Sequence, residues 1–172
     1  MKIFINKISG SARIAIRYAL VSVLAYFGSY YLTDAIPHVS TRFAIGALWA
    51  VIVGVVVIQA TLISTVEKAG FQILGGLVGA IVSLVYLEIL SFNPVGMALL
   101  IGLVVFLFHS LNRPDYAIPA ALTVAVILIF SYLNPELSPL INAGLRFSEI
   151  IIGSVIAILI VGFLPYARDK TV

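Results

Sequence analysis

Charge is scarce in this 172-residue chain, which has ten Lys and Arg residues and seven Asp and Glu residues. Charged residues make up 10% of the chain, against about 25% in a typical soluble domain. Apolar residues make up 62%, more than a soluble core of this length can bury, so lipid must cover much of the surface. The net charge of +3 does not indicate nucleic-acid binding, because the cations are spread over the ends of apolar segments.

Cysteine is absent, which excludes disulfide bonds and thiolate metal sites. His109 has no second histidine at ligand spacing, so no metal site is predicted. The chain has no phosphate-binding glycine loop followed by lysine and no combination of nucleophile, acid and base. We therefore expect neither an enzyme nor a bound cofactor.

Six uncharged stretches separate the clusters of charge, and each is close to the ~20 residues with which a helix crosses ~30 Å of hydrocarbon. They are apolar on all sides, whereas barrel strands would alternate polar and apolar residues. The sequence predicts an all-α polytopic membrane protein, a single domain over residues 1–172 with six transmembrane helices. The predicted spans are approximately residues 13–33, 43–63, 69–90, 95–111, 116–133 and 146–165. Turn-forming Asn and Pro residues lie between the later spans, as in Asn93-Pro94.

The basic residues predict the orientation of the chain. With six spans both termini lie on one side, and only Arg42 and Arg146 fall on the other side. The positive-inside rule then predicts cytoplasmic termini, and short loops favour a bacterial inner membrane. The cations on the cytoplasmic side are Lys2, Lys7, Arg13, Arg17, Lys68, Arg113, Arg168 and Lys170.

A weak internal repeat relates the two halves of the chain. A shift of 74 residues places Gly79 over Gly153 and residues 69–72 over residues 143–146. The shift corresponds to three helices and predicts an inverted repeat, a feature of secondary transporters. Two helices rich in alanine and glycine also match by chance, so both interpretations stay open.

Small residues recur at four-residue spacing and predict close helix contacts. Either packing within one bundle or a seam between two copies explains the spacing. The predicted packing glycines are Gly46, Gly54, Gly75, Gly79 and Gly153.

Arg146 and Glu149 are three residues apart at the start of the sixth span, on one face with Gly153. The apolar surroundings of Arg146 indicate a functional pair, since ionisable groups within membranes usually serve function. The cation would contact an anion, and the carboxylate would accept a coupled proton. A solvated cap at the end of the helix is the alternative.

Five further side chains are candidates for the same path. Arg17 falls within the first span, where it either extends to the interface or lines an anion path. The others are polar groups within or next to spans, which more commonly satisfy a neighbouring helix. They are Gln59, Gln72, Tyr116 and Thr123.

Four segments together resemble the fusaric acid resistance and aromatic acid exporter (FUSC) family over residues 12–167. They are "LWAVIVGVVVIQATL", "FQILGGLVGAIVS", "YAIPAALTVAVIL" and "RFSEIIIGSVIAILIVGFLP". Ala60, Gln72 and Gly76 depart from the Pro, Arg and Thr usual in that family. The matching residues are Trp49, Gln59, Gly75, Gly79, Tyr116, Thr123, Arg146, Gly153 and Pro165.

The resemblance implies a six-helix unit in the inner membrane that exports aromatic carboxylic acids with the proton gradient. Relatives with two such units imply that two copies of this chain form a homodimer. Aluminium-activated malate channels are similar in fold, which makes a passive anion channel the alternative function. A non-transporting subunit of a larger membrane complex is a further alternative. The expected partners are a small organic anion and the lipid bilayer.

Overall fold

A computed structural model describes the backbone of residues 2–34 and 43–165, and the side chains of residues 10–32 and 46–165. This part of the chain forms six α-helices and one short 3₁₀ turn at Pro114–Tyr116, with no strand, so the predicted all-α fold is confirmed for it. The helices are α1 (Lys2–Asp34), α2 (Phe43–Val57), α3 (Leu62–Ile89), α4 (Pro94–Ser110), α5 (Ala117–Leu133) and α6 (Pro139–Phe163).

Three segments of the described chain are long and apolar enough to cross a bilayer: α3, α5 with its preceding 3₁₀ turn, and α6. Apolar segments of α2, Gly46–Val57, and of α4 are shorter. The chain is therefore a membrane protein, while six spans and the inverted repeat stay predictions. Arg42, Arg168 and Lys170, which contributed to the predicted orientation, lie outside the described residues.

The predicted Asn-Pro boundary between α3 and α4 is confirmed. The Asn93 side chain caps α4 by accepting the backbone N–H groups of Val95 at 2.8 Å and Gly96 at 3.3 Å. Pro94 follows as the first helical residue, where a missing N–H costs nothing.

The turn at Asn112-Arg113-Pro114 ends α4. Asn112 takes a left-handed conformation with φ 54°. Its N–H donates to the carbonyl of His109 at 3.0 Å, and the Arg113 N–H donates to the carbonyl of Phe108 at 2.8 Å. This pair of bonds is a Schellman motif, which satisfies the last carbonyls of a helix and stops it.

Hydroxyl groups form the connection between α2 and α3. The Thr61 hydroxyl accepts the Ser64 N–H at 3.2 Å, as an N-cap does. The Thr65 hydroxyl accepts the Gln59 N–H at 3.0 Å and donates to the Thr61 carbonyl at 2.8 Å. These bonds replace helical ones, so the helix breaks inside an uncharged stretch.

The chain packs as two compact units. The first comprises Met1–Ala69 with Ile152–Val172, and the second comprises Gly70–Ile151. Both boundaries fall inside helices, so α3 and α6 each contribute a segment to both units.

In the first unit, α2 lies against both α1 and the C-terminal part of α6. A Cβ atom on Gly54 would lie 2.6 Å from Val21 Cγ1 of α1 and 3.4 Å from the Gly153 carbonyl oxygen of α6. A Cβ atom on Gly153 would lie 3.1 Å from Val53 Cβ. Small side chains permit this approach of the backbones. Gly46, two turns before Gly54, is also buried.

In the second unit, α5 contacts α3, α4 and α6. A Cβ atom on Gly75 of α3 would lie 2.6 Å from the Tyr116 carbonyl oxygen, and one on Gly79 would lie 2.5 Å from the Ala120 carbonyl oxygen. The contact of α5 with α4 is an apolar cluster. Its buried members are Val104, Phe108, Ala117, Ala120, Val124 and Leu128.

We expect Gly79→Ala to lower the free energy of unfolding by about 1–3 kcal/mol, because a methyl group there meets backbone that cannot move independently. Thermal unfolding in detergent micelles measures the change. Gly102→Ala is the matched control, since a Cβ atom on Gly102 has no heavy atom within 4 Å. That substitution should raise stability by up to about 1 kcal/mol through helix propensity. Equal shifts in Tm for the two variants would contradict the close contact of α3 with α5.

Candidate functional site

Three polar side chains lie on one buried face of α6. Asn142, Arg146 and Glu149 follow each other at helical spacing of four and three residues. Their exposed fractions are 0%, 4% and 0%. Charged side chains are almost never buried so completely unless they are paired, which makes this face the candidate site.

Arg146 and Glu149 form an ion pair within the helix. Arg146 Nη1 lies 2.9 Å from Glu149 Oε2. The contact has the distance of an ion pair but not the alignment of a hydrogen bond. Arg146 Nη1 and Nε and both Glu149 oxygens consequently have no hydrogen-bond partner among the described residues. The pair neutralises its charges while keeping unused donors and acceptors.

The ring of Phe130 in α5 lies against the guanidinium group of Arg146. The Arg146 Cζ atom lies 4.3 Å from the centre of the Phe130 ring, which is a cation–π distance. The N–H donors of a guanidinium lie in its plane. A ligand would therefore bind Arg146 in the plane of the guanidinium.

Asn142 links α6 to α5 and was not among the predicted site residues. Its Nδ2 donates to the backbone carbonyl of Ile127 at 2.9 Å. Its Oδ1 is buried and accepts no hydrogen bond from a described residue. Its position one turn before Arg146 in an apolar run was a signal available from the sequence. The cation–π contact with Phe130 had no such signal, because it depends on helix packing.

Two predicted path residues, Thr123 and Gln72, are buried in the second unit. The Thr123 hydroxyl donates to the Pro119 carbonyl of its own helix at 2.8 Å. A Cβ atom on Gly76 would lie 3.4 Å from Thr123 Oγ1 and 2.6 Å from Ile150 Cδ1, so α3, α5 and α6 meet there. Gln72 is buried one turn earlier on α3.

Tyr116, at the start of α5, packs between two aromatic rings. The centre of its ring lies 5.0 Å from that of Phe71 and 5.7 Å from that of Phe108. These distances are typical of favourable aromatic pairs. The ring of Tyr116, in the turn before α5, thus contacts α3 at Phe71 and the end of α4 at Phe108.

Arg17 and Gln59 lie in the first unit. Arg17 is buried, and its Nε donates to the Leu164 carbonyl at 2.6 Å. A cation there stabilises the C-terminal end of α6. The Gln59 side chain donates to the Val56 carbonyl at 3.4 Å, at the break between α2 and α3. The second unit contains the other predicted path residues: Arg146, Glu149, Gln72, Tyr116 and Thr123.

A double-mutant cycle measures the coupling between Arg146 and Glu149. Arg146→Gln and Glu149→Gln should each lower the free energy of unfolding by about 3–5 kcal/mol, because each leaves an uncompensated buried charge. The double variant should cost clearly less than the sum. Chemical denaturation in micelles gives the three values. Costs that add to within about 0.5 kcal/mol would show that the two charges are not coupled.

The family described as fusaric acid resistance protein-like matches residues 29–160, more than half of the chain. No curated protein shows significant similarity to the chain. The matched family is a transporter family, which suggests a membrane transport or efflux function. The chain belongs to the fusaric acid resistance protein-like family.

Proposed function

We propose that this protein exports small organic anions of the aromatic carboxylate type and couples their movement to protons. The observation that carries the proposal is the buried ion pair of Arg146 and Glu149 in α6, a helix long enough to cross the bilayer. Ionisable groups within membrane segments are costly and mark substrate or ion paths. Membership of a transporter family supports the same assignment.

Arg146 is the proposed ligand of the anion. Its Nε and Nη1 donors lack aligned partners among the described residues. A guanidinium binds a carboxylate through two parallel N–H···O bonds, which are stronger than neutral ones. With Phe130 beside the guanidinium, a carboxylate bound to Arg146 would bring an attached aromatic group near that ring, where aromatic contacts are favourable.

Glu149 is the proposed proton carrier. It competes with the cargo, because both are carboxylates that bind the same guanidinium. Protonation of Glu149 removes its charge and frees Arg146 for the cargo. A second anion beside an ionised Glu149 would instead leave excess negative charge in a medium of low dielectric. Anion binding and proton binding are thereby linked at one pair of side chains.

Other polar residues complete the proposed path in each unit. Gln72, Tyr116 and Thr123 belong to the second unit, on the helices that pack with the first half of α6. Arg17 and Gln59 belong to the first unit. Arg17 contributes positive charge at the C-terminal end of α6, where it also holds a backbone carbonyl.

The proposal includes the setting of the protein in the membrane. We place it in a bacterial inner membrane as a homodimer, with six spans per chain, an inverted repeat and cytoplasmic termini. The distribution of the cations supports the cytoplasmic termini, because with six spans eight of the ten fall on the side of the termini.

Flux of 4-hydroxybenzoate in proteoliposomes tests the proposal. The wild-type protein should give flux that rises with an imposed pH gradient. Arg146→Gln should reduce flux about tenfold to a hundredfold, the effect of losing a charge-assisted hydrogen bond. Glu149→Gln should abolish the response to the gradient, because glutamine does not titrate. The exposed residues Glu88 and Arg113 supply matched controls, Glu88→Gln and Arg113→Gln, which should behave as wild type.

Other outcomes would replace the proposal. If Glu149→Gln kept its response to the pH gradient, Glu149 would not be the proton carrier. Currents that reverse at the anion equilibrium potential without proton dependence would indicate a passive anion channel. Absence of flux together with a stoichiometric co-purifying protein would indicate a subunit of a larger complex.

A further inference from the structure

The buried face of α6 carries hydrogen-bonding groups that complement each other. Arg146 Nε and Nη1 are buried donors without a partner among the described residues. Asn142 Oδ1, one turn earlier on the same helix, is a buried acceptor to which no described residue donates. A guanidinium only donates hydrogen bonds, and an amide oxygen only accepts them. The two side chains are therefore chemically suited to bind each other.

The hydrogen bond between Asn142 and α5 fixes the direction of this acceptor. Asn142 Nδ2 donates to the Ile127 carbonyl at 2.9 Å. Because that carbonyl can only accept, the amide group that faces it must be the NH₂ group. The amide is planar, so its oxygen points away from Ile127. Turning the oxygen toward another donor would break the bond to α5, and a donor must consequently come to the oxygen.

The guanidinium of Arg146 lies near the helical turn that contains Asn142. Long side chains of a helix lean toward its N-terminus, which for Arg146 is the direction of Asn142. The contacts with α5 agree, since Asn142 bonds to Ile127 and Arg146 lies beside Phe130, three residues further along α5. Three residues span about 4.5 Å along a helix axis. The long arginine side chain covers such a distance by a change of rotamer.

Protonation of Glu149 removes the anion that Arg146 faces. Arg146 is only 4% exposed, and a buried cation without compensation strongly destabilises a protein. The helices α3 and α5 both pack against this part of α6. Their titratable side chains in the second unit are Tyr86, Glu88 and Tyr132, all in the last turns of those helices. Glu88 is exposed, so these helices supply no second buried carboxylate to the guanidinium.

We propose that Asn142 is a positioning residue, which holds the guanidinium of Arg146 by accepting a hydrogen bond from it when Glu149 is protonated. The buried face then has two arrangements. In one, Arg146 pairs with ionised Glu149. In the other, Arg146 donates to Asn142 Oδ1 beside a neutral Glu149, which satisfies the amide oxygen and keeps the cation on this face of α6. The inference rests on the proposed function in that Glu149 takes up the proton.

Chemical denaturation in micelles tests whether the role of Asn142 depends on Glu149. In the wild-type background, Asn142→Leu removes the bond to Ile127. In the Glu149→Gln background, which mimics the protonated state, it also removes the acceptor for Arg146. The substitution should therefore lower the folding equilibrium constant about tenfold to a hundredfold more in the Glu149→Gln background, the range for a hydrogen bond to a charged group.

Two matched comparisons isolate the contribution of Arg146. When Arg146→Gln is added to Glu149→Gln, the additional loss from Asn142→Leu should vanish, because no buried cation needs the acceptor. Ser83→Ala removes another buried polar group of the second unit, a hydroxyl that donates to the Gly79 carbonyl of its own helix at 2.8 Å. Its effect should be the same in every background.

Infrared titration of the carboxyl groups is a second measurement, which keeps Glu149 in place. A partner that binds Arg146 only in the protonated state favours that state. Asn142→Leu should therefore weaken proton binding by Glu149 about tenfold, so that its protonated-carboxyl signal disappears about one pH unit lower than in the wild type. The exposed carboxylates Glu88 and Asp115 should titrate as before, and Ser83→Ala should match the wild type.

Either of two results would overturn the inference. A loss from Asn142→Leu that is equal in all three backgrounds would show that Asn142 only joins α5 to α6. An infrared titration that Asn142→Leu leaves unchanged would show that the amide does not respond to the proton on Glu149. If both measurements give the expected result but proteoliposomes show no flux, the exporter proposal fails while this inference stands.

Discussion

The bilayer's inability to form hydrogen bonds is the constraint on which this structure depends. Backbone groups in hydrocarbon must be satisfied within the protein, and helices achieve this locally. The apolar surface of the helices then gains nothing from leaving lipid, so close contact of backbones has to hold them together. The contacts at Gly75 and Gly79 with α5, and at Gly54 and Gly153 between α2 and α6, are of this kind. A methyl group on Gly75, Gly79 or Gly153 would clash with a backbone oxygen of the neighbouring helix, and one on Gly54 would clash with the Val21 side chain of α1.

The same constraint makes the buried ion pair of Arg146 and Glu149 costly. A charge in hydrocarbon is costly, and replacing a buried pair by apolar residues is often neutral or stabilising. Arg146 and Glu149 are therefore poor devices for stability alone. Their incomplete hydrogen bonding, together with the unused oxygen of Asn142 on the same helix face, leaves buried donors and acceptors on α6 that no described residue uses.

Helix ends could be predicted where chemistry is local. Asn93 starts α4 by capping its first turn, and Pro94 has no N–H that would need a partner there. Asn112 ends α4 through its own left-handed backbone conformation. The end of α2 after Val57 was harder to predict from the sequence, because the chain stays uncharged through residue 66. There the hydroxyls of Thr61 and Thr65 accept backbone N–H groups, and the apolar composition of the segment does not indicate these hydrogen bonds.

The sequence by itself determined the solvent, the helical class and the family, because these follow from composition, hydropathy and the order of residues along the chain. It also placed Arg146 and Glu149 on one helix face, since their spacing depends on a single helix. Only the tertiary structure brought Phe130 over the guanidinium and fixed the Asn142 amide on Ile127. Those contacts join residues of two helices, and their geometry depends on how α5 and α6 pack. The periodicity of residues along each helix does not determine that packing.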